Sequence, residues 1–434
     1  MKRLSAWAPW IAALLGLAIT LPAFWPGYLS WDSSYQWWQA RGAPLDPGHP
    51  PVMVHVWKQA RQWLPDPGGM LLLQALLWWS ALALFAQAMG GHAIKRTLIV
   101  LAVGLWPPLL GLLPHLWKDV WMMGGFALAV ALLAQDTGSP HRGWRLSALL
   151  ALFVACAFRL NALPAALPLL AWIAWRETTL RTGLRVLLLI VLVIATQSFS
   201  AWANQVPEDR RTPSWPILAL WDVAAVSIAE DQLLFPTGWT APGTTVADLR
   251  RDFTPYVNVP SFASGQLRPN PDFAHTPKEF DQLLETWVSL PFVHPKAWWT
   301  HRMTVSSYLF GLHPGLLPDY LVLQPGVVPY EDNPALTRND GPLNRWLQPR
   351  LERLIDTPVF APWVYLLLSL AILAWTILRR SFTGHRGLAA TVAASSFGLA
   401  FPLAVLSPSS DFRYMGWCVL AALLALLLAF SRRA

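Results

Sequence analysis

The sequence predicts an all-α polytopic membrane protein with about ten transmembrane helices and a helical, loop-rich outer domain. The 434 residues are 55% hydrophobic and only 13% charged, whereas a soluble domain carries about 25% charged residues. Several apolar runs approach the ~20 residues that cross the hydrocarbon core as a helix. Many of the 27 tryptophans lie at the ends of such runs, where indole rings prefer the headgroup level.

The first part of the chain, residues 1–204, is predicted to be a transmembrane module with its first outer loop at residues 26–69. Lys2 and Arg3 precede an apolar run without a clean cleavage site, so we expect an uncleaved first helix. Within that loop, Val52 to Leu64 has the amphipathic spacing of a helix that lies flat in the interface. The predicted spans of this module are Trp7–Trp25, Met70–Met89, Thr97–Pro114, Val120–Ala134 and Val186–Ala203.

The apolar stretch at residues 146–175 is too long for one span and is interrupted by Arg159, Asn161 and Pro164. We expect two short helices that meet near the outer face at Arg159. One long kinked helix is the alternative.

The region 205–358 is predicted to be a folded extracytoplasmic domain, because it holds 20 of the 38 prolines but no apolar run long enough to span. Thr276 to Glu279 has the pattern of a capping box with proline at the first helical position. Pro295 and Leu343 open two further helical patterns. Three spans then complete the C-terminal transmembrane region 359–434, namely Val359–Ile377, Gly387–Leu406 and Met415–Phe430.

Charge orients this topology. The proposed inner segments hold 14 basic residues but only two acids, Asp136 and Glu177, which follows the positive-inside rule. We therefore expect both termini inside and the first loop outside. The net charge of +8 is explained in the same way, so nucleic acid is not an expected partner. The 14 inner basic residues are Lys2, Arg3, Lys95, Arg96, Arg142, Arg145, Arg176, Arg181, Arg185, Arg379, Arg380, Arg386, Arg432 and Arg433.

Cys156 and Cys418 lie inside apolar runs and indicate neither a disulfide nor a zinc site.

The first outer loop carries the strongest candidate for chemistry. Asp32 lies among Trp31, Tyr35, Trp37 and Trp38, and a carboxylate at the membrane surface can take a proton from a hydroxyl. Asp32 could instead cap a helix, since Asp is a favoured N-cap residue.

The His-Pro-Pro sequence at residues 49–51 closes the same stretch. It predicts a rigid turn, because two prolines fix φ. His49 is also a candidate ligand for phosphate or a metal.

Other charged groups lie close to the predicted hydrocarbon boundary, where charges are costly and usually functional. Lys118, Arg159 and Arg413 are candidate phosphate ligands, because cations hold the charge of a phosphate and guanidinium reads it with two hydrogen bonds. Asp119 is a candidate to orient the phosphate or to accept a metal, and Asn161 is a candidate ligand of the substrate or its phosphate. The alternatives are an interfacial Lys118–Asp119 pair, structural pairing of Arg159 with Asp119 or Asp32, and snorkelling of Arg413.

At this point the pattern resembles the GT-C class of integral-membrane glycosyltransferases. Members have many spans, an acidic residue near the start of the first outer loop and, in many bacterial proteins, a later His-Pro-Pro. Asp32 and His49-Pro50-Pro51 match these features, and the flat helix and late outer domain also fit. Many members carry an acidic pair where this chain has Asp32-Ser33.

The resemblance implies a sugar donor on a polyprenyl phosphate, a lipid, glycan or protein acceptor, and a bacterial inner (plasma) membrane with the site facing the periplasm or exterior. It implies Asp32 as general base of an inverting transfer, with His49, Lys118, Asp119, Arg159, Asn161 and Arg413 binding substrate and phosphate. A divalent cation is the one candidate cofactor.

Two alternatives remain open at this stage. A lipid-linked glycan ligase or polymerase would rely on outer-domain groups such as His301 and Arg302. A membrane transporter would favour internal repeats and ionisable groups at mid-membrane.

Overall fold

The computed structural model describes residues 2–211, 213–269, 273, 275–313 and 317–431. Within those residues the chain is helical, and β-pairing is limited to isolated bridges. Arg432 and Arg433, which contribute to the predicted inner C-terminus, lie outside the described residues.

The N-terminal half contains ten helices. They are α1 Lys2–Phe24, α2 Trp31–Ala40, α3 Pro51–Ala60, α4 Gly68–Met89, α5 Ala93–Gly104, α6 Pro107–Leu112, α7 Lys118–Gly138, α8 Arg142–Phe158, α9 Leu163–Trp175 and α10 Thr182–Ala203.

The remaining helices continue along the chain in two groups. The region after α10 contains α11 Trp215–Glu230, α12 Val246–Asp252, α13 Val259–Ala263, α14 Pro277–Val293, α15 Pro295–Leu309, α16 Asp319–Val322 and α17 Pro342–Glu352. The last group is α18 Pro362–Leu378, α19 Gly384–Leu406 and α20 Gly416–Ala429, and three 3-10 turns lie at Glu208–Arg210, Pro358–Phe360 and Phe412–Met415.

Among the residues that the structure describes, six helical segments are long and apolar enough to cross a membrane, which is compatible with a membrane protein. The apolar helices α9 and α18 are shorter, at 13 and 17 residues. The total of ten spans stays a prediction. The six segments are Ala6–Phe24, Gly68–Met89, Lys118–Gly138, Thr182–Ala203, Gly384–Leu406 and Phe412–Ala429.

Two predicted interruptions of apolar runs are present. The run from Thr97 to Pro114 is divided between α5 and α6, because the Pro107-Pro108 pair lacks the amide protons that a continuous helix needs. The stretch 146–175 forms two helices, α8 and α9, separated by a turn at Arg159. The alternative of one long kinked helix is therefore wrong.

Small residues let the membrane-length helices approach closely, as is common in transmembrane bundles. Helix α19 packs on α9 and α20, and α7 packs on α4 and α8. A Cβ added to Gly398 would lie 2.2 Å from the carbonyl oxygen of Pro164. Glycine is thus required where α19 crosses the start of α9.

A charged cluster ties together α7, α8 and α9 at their predicted inner ends. Asp136 is fully buried and accepts hydrogen bonds from Arg145 at 2.9 Å, from Arg176 Nε at 3.1 Å and from the amide of His141 at 3.0 Å. A buried carboxylate is tolerated when it is paired in this way.

The apolar core has two parts. One runs through the helical bundle and includes Leu351 and Ile355 from the C-terminal part of the region 205–358. The other is built by α11, α14 and α15 around Trp239. The boundaries 1–204, 205–358 and 359–434 stay predictions.

The capping box that opens α14 is confirmed, because the Thr276 hydroxyl accepts a hydrogen bond from the Glu279 amide.

Candidate active site

Asp32 lies in the first turn of α2, after the extended residue Ser30. Ser30 is the N-cap, so the expectation that Asp32 could cap this helix is wrong. The carboxylate instead contacts Arg413, with 2.8 Å between Oδ2 and a guanidinium nitrogen. The Asp32 side chain is 23% exposed and that of Arg413 is 10% exposed, so the ion pair is largely shielded from water.

His49 and Lys118 complete one side of this pair. The Lys118 ammonium lies 2.8 Å from His49 Nδ1. Because an ammonium group can only donate a hydrogen bond, Nδ1 accepts it and the neutral ring carries its proton on Nε2. Nε2 faces Asp32 Oδ1 at 4.0 Å. Lys118 is the first residue of α7 and His49 precedes α3, so helix starts position both groups.

The protonation states follow from burial and from the neighbouring charges. Burial and the Lys118 charge lower the pKa of His49 to about 3, so its ring is neutral at pH 7. Burial alone would raise the pKa of Asp32, but Arg413, His49 and Lys118 together hold it well below its usual range. The cluster therefore presents an ionised carboxylate beside a neutral imidazole.

A second ion pair joins Asp119 and Arg159. Arg159 Nε lies 3.3 Å from Asp119 Oδ1, and the Asp119 side chain is 1% exposed. Neither Asp119 oxygen has a well-aligned hydrogen bond within the described part of the chain. The Arg159 guanidinium also covers the ring of Tyr414, 4.6 Å from its centroid. The structural pairing weighed for these two residues is thus present, beside the Asp32 cluster.

Arg413 is held by aromatic and acidic neighbours. Its guanidinium carbon lies 4.8 Å from the Trp117 ring centroid and 5.4 Å from that of Tyr414. The Trp117 indole donates to Ser30 Oγ at 2.8 Å, which fixes this ring against the start of α2. Arg413 also lies 3.8 Å from Asp411. Stacking and ion pairing are the contacts that guanidinium makes best.

The cluster has balanced charge. Its three cations face the acids Asp32, Asp119 and Asp411, and burial raises the pKa of Asp411, so that carboxyl takes up a proton more readily than Asp32. A phosphate that enters would have to compete with these carboxylates for the cations.

Asn161 does not join the cluster. It is exposed in the turn between α8 and α9, and no side-chain hydrogen bond is assigned to it among the described residues. Its predicted role in substrate binding stays a prediction.

His301 and Arg302 lie in a separate buried cluster around Asp222. His301 Nε2 is 3.1 Å from Asp222 Oδ1, and Arg302 contacts the same oxygen. Trp287 donates to the other oxygen at 2.7 Å. His301 and Arg302 are 7% and 1% exposed, so both side chains are engaged with Asp222 inside the fold. Their role under the ligase alternative stays a prediction.

This second cluster also reaches the first. Arg302 donates to the Ser407 carbonyl at 2.8 Å, and Ser410 donates to the Val305 carbonyl at 3.0 Å. Helix α15 thereby holds the segment 407–411 that leads to Arg413.

Sequence reasoning missed several neighbours of Asp32. The rings of Trp117 and Tyr414 contact the Arg413 guanidinium. In the sequence they are adjacent to Lys118 and Arg413, which were predicted to bind phosphate because of their charge. Tyr330 contacts Trp31 and Tyr35 from a segment that carries no recognisable motif. Only its position in the fold reveals it.

Among the described residues, no group of three His, Cys, Asp or Glu side chains is arranged to hold a metal ion. The acids of the site are paired with arginines instead. A divalent cation stays a candidate for the experiment below.

No protein-family model matches the chain, and no curated protein or solved structure is significantly similar to it.

Proposed function

We propose that the protein is a membrane glycosyltransferase of GT-C type that moves a sugar from a polyprenyl-phosphate donor to an acceptor hydroxyl. The observation that carries the proposal is the convergence of Asp32, His49, Lys118 and Arg413 on one site. The first outer loop, the start of α7 and the segment before α20 together contribute one ionised carboxylate and two cations, with Arg159 adding a third cation beside them. These are the groups that a phosphate leaving group and a nucleophilic hydroxyl require.

Asp32 is the general base in this proposal. The acceptor oxygen attacks the anomeric carbon, its proton passes to Asp32, and the bond from that carbon to the phosphate oxygen breaks. The bonding electrons leave with the polyprenyl phosphate, and direct displacement inverts the anomeric carbon. A hydroxyl beside Asp32 Oδ1 is also within reach of the Nε2 proton of His49, 4.0 Å away, which would orient it.

The cations act on the leaving group. Phosphate needs no general acid when positive groups hold the charge that develops on it. Arg413 contacts Asp32 directly, and Lys118 contacts His49 beside it. Arg159 lies over the ring of Tyr414, which Arg413 also contacts. Donor phosphate bound at Arg413 would weaken the field that lowers the pKa of Asp32 and so strengthen the base.

The setting proposed for this reaction is a bacterial inner membrane. Ten spans with both termini inside would put Asp32 on the periplasmic or outer face, where lipid-linked sugars meet cell-envelope acceptors. The region 205–358 would form the extracytoplasmic domain over the site. Membrane lipids, the polyprenyl donor and a lipid, glycan or protein acceptor are the proposed partners.

The first experiment measures donor turnover. Wild type and Asp32→Asn are purified in detergent and supplied with a panel of polyprenyl-phosphate sugars, and release of free polyprenyl phosphate is followed with and without EDTA. Loss of the base should lower turnover by about 10²–10⁴-fold. Asp332→Asn, which alters an acid with a 74% exposed side chain, is the matched control.

Two results decide the proposal. Full turnover by folded Asp32→Asn would overturn the role of Asp32, and no turnover by wild type with crude acceptor extract present would overturn the donor class. Loss of activity in EDTA that returns with Mg²⁺ or Mn²⁺ would establish a metal requirement.

A further inference from the structure

Four aromatic rings form a surface beside Asp32 and His49. Trp31, Tyr35 and Trp38 recur at the spacing that aligns residues on one helix face. Trp31 and Tyr35 are stacked in parallel, with centroids 5.4 Å apart and 3° between the rings. Tyr330 meets both edge-on at 5.4 Å and 5.3 Å and lies 5.6 Å from Trp38. We call these four residues the aromatic platform.

The platform is fixed by backbone contacts between two remote segments. The Leu29 amide donates to the Gly326 carbonyl at 2.9 Å, and the Val328 amide donates to the Leu29 carbonyl at 2.8 Å. Ser34 Oγ donates to the Val328 carbonyl at 2.6 Å, and Asn333 donates to the Ser34 carbonyl at 2.8 Å. Tyr330 is therefore held against α2 by the chain on both sides of it.

The platform leaves a large ring face open. Trp31 is 53% exposed, whereas other tryptophans of the chain, such as Trp37 and Trp57, are almost fully buried. The neighbouring residue is Asp32, and His49 lies 6.3 Å from the Trp31 ring. An open apolar face that is rigid and adjoins polar groups is the usual composition of a ligand site.

The chemistry of this surface selects its occupant. A pyranose ring has an apolar face of C–H groups that packs on an aromatic ring, and hydroxyls at its edge that bond to carboxylate and imidazole. A lipid acyl chain would fit the rings but not the ionised carboxylate, whose desolvation is costly. The combination therefore favours a sugar over a lipid chain.

We propose that the aromatic platform binds a sugar ring of the acceptor, so that the acceptor is a glycan. The ring packs on Trp31, and the hydroxyl to be glycosylated points toward Asp32 Oδ1 and His49 Nε2. This assignment of the acceptor class rests on the proposed function of Asp32, but sugar binding by the platform is measured without the donor.

Saturation-transfer NMR tests the binding directly. Protein in lipid nanodiscs is mixed with methyl glucoside, methyl mannoside and methyl galactoside, one at a time. Nanodiscs are used because a ring covered by headgroups would give no transfer. We expect transfer to the sugar protons in wild type, a loss of at least 5-fold in Trp31→Ala, and retention in Trp31→Phe.

Trp346→Ala is the matched control, because Trp346 has the same 53% exposure on α17. Transfer that is equal in Trp31→Ala and wild type, or absent for every pyranoside, would overturn the proposal. If Trp31→Phe loses transfer as fully as Trp31→Ala while both stay monodisperse, stacking is not the mode of binding and the proposal also fails. Sugar binding without any donor turnover would support the aromatic platform as a sugar site and would contradict the transferase proposal.

Discussion

The Asp32–Arg413 pair combines two opposing effects on one carboxylate. Burial disfavours its charge, whereas Arg413, His49 and Lys118 favour it strongly. The Asp32–Arg413 ion pair is therefore favourable when no phosphate is bound. Arg413 is also the group that a phosphate would bind. Under the proposed function, competition between the donor phosphate and Asp32 for Arg413 would link donor binding to the strength of the base.

Replacing Arg413 by lysine tests this link. Lysine keeps the charge but loses the planar fork and the stacking on Trp117 and Tyr414. We expect donor turnover to fall by about 10–100-fold, which corresponds to about 1.4–2.8 kcal/mol. The measurement is release of polyprenyl phosphate by folded protein. Arg250→Lys, at an exposed pair with Asp231, should match wild type, and an equal loss there would point to a general effect of the lysine change.

The neutral state of His49 makes stability depend on pH. Its pKa is about 3 in the fold against 6.5 for the free side chain, so above pH 6.5 the ring is neutral in both states and this contribution is complete. As pH falls from 6.5 toward 3, only the unfolded chain takes up the proton, and stability is lost. One such histidine contributes about 1.4 kcal/mol per pH unit in the middle of that window.

Thermal unfolding of His49→Gln in detergent should therefore fall less steeply with acid than that of wild type. His115, whose pKa is also lowered to about 3 by burial, keeps part of the slope in both proteins. His55→Gln, at an exposed position, is the control. An unchanged slope in His49→Gln would mean that His49 is charged in the folded protein.

Among the elements, α15 supports the site from outside it. Arg302 joins Asp222 on α11 to the Ser407 carbonyl at the end of α19. The segment from Ser407 to Asp411 is thereby fixed, and Arg413 follows it. Arg302 is a positioning residue in this view.

Arg302→Lys should separate positioning from folding. Lysine can keep its contact with Asp222 but cannot also reach Ser407, because it lacks the second arm of the guanidinium. We expect a fall of about 10-fold in donor turnover with a KM for donor that rises, in protein that stays monodisperse. A fall in melting temperature with unchanged kinetics would assign Arg302 to stability alone.

The sequence predicted what local pattern and charge determine. The capping box at Thr276, the break at Pro107 and the division at Arg159 are each encoded within a few residues. The pairing of Asp32 with Arg413 was not deducible, because either residue could have met other charges at the same depth. Tyr330 and Asp222 were missed for the same reason: their roles depend on contacts between remote segments, which no local periodicity reports.

For the whole molecule, the predicted orientation in the membrane decides which substrates could reach the site under the proposed function. The inner cluster of Asp136, Arg145 and Arg176 and the site around Asp32 belong to opposite predicted faces. A substrate from outside reaches Asp32 only if the predicted topology holds.

Cysteine labelling in intact cells tests that topology. Cys156 and Cys418 are buried, so the background is low. Asp332→Cys should react with an impermeant maleimide, whereas Ser139→Cys should react only after the cells are permeabilised, because positive-inside loops stay in the cytoplasm. The reverse labelling pattern would contradict the predicted topology and would indicate that the site faces the cytoplasm.

The pairing of remote segments has a consequence for biogenesis. The ribosome releases Asp32 and its helix long before it makes the loop that carries Tyr330, and later still Arg413. A nascent chain that stalls between these points holds the carboxylate without its arginine and the rings of α2 without their fourth member. If the protein acts on lipid-linked sugars as proposed, incomplete translation products would be inert, and the order of synthesis would delay activity until insertion is nearly finished.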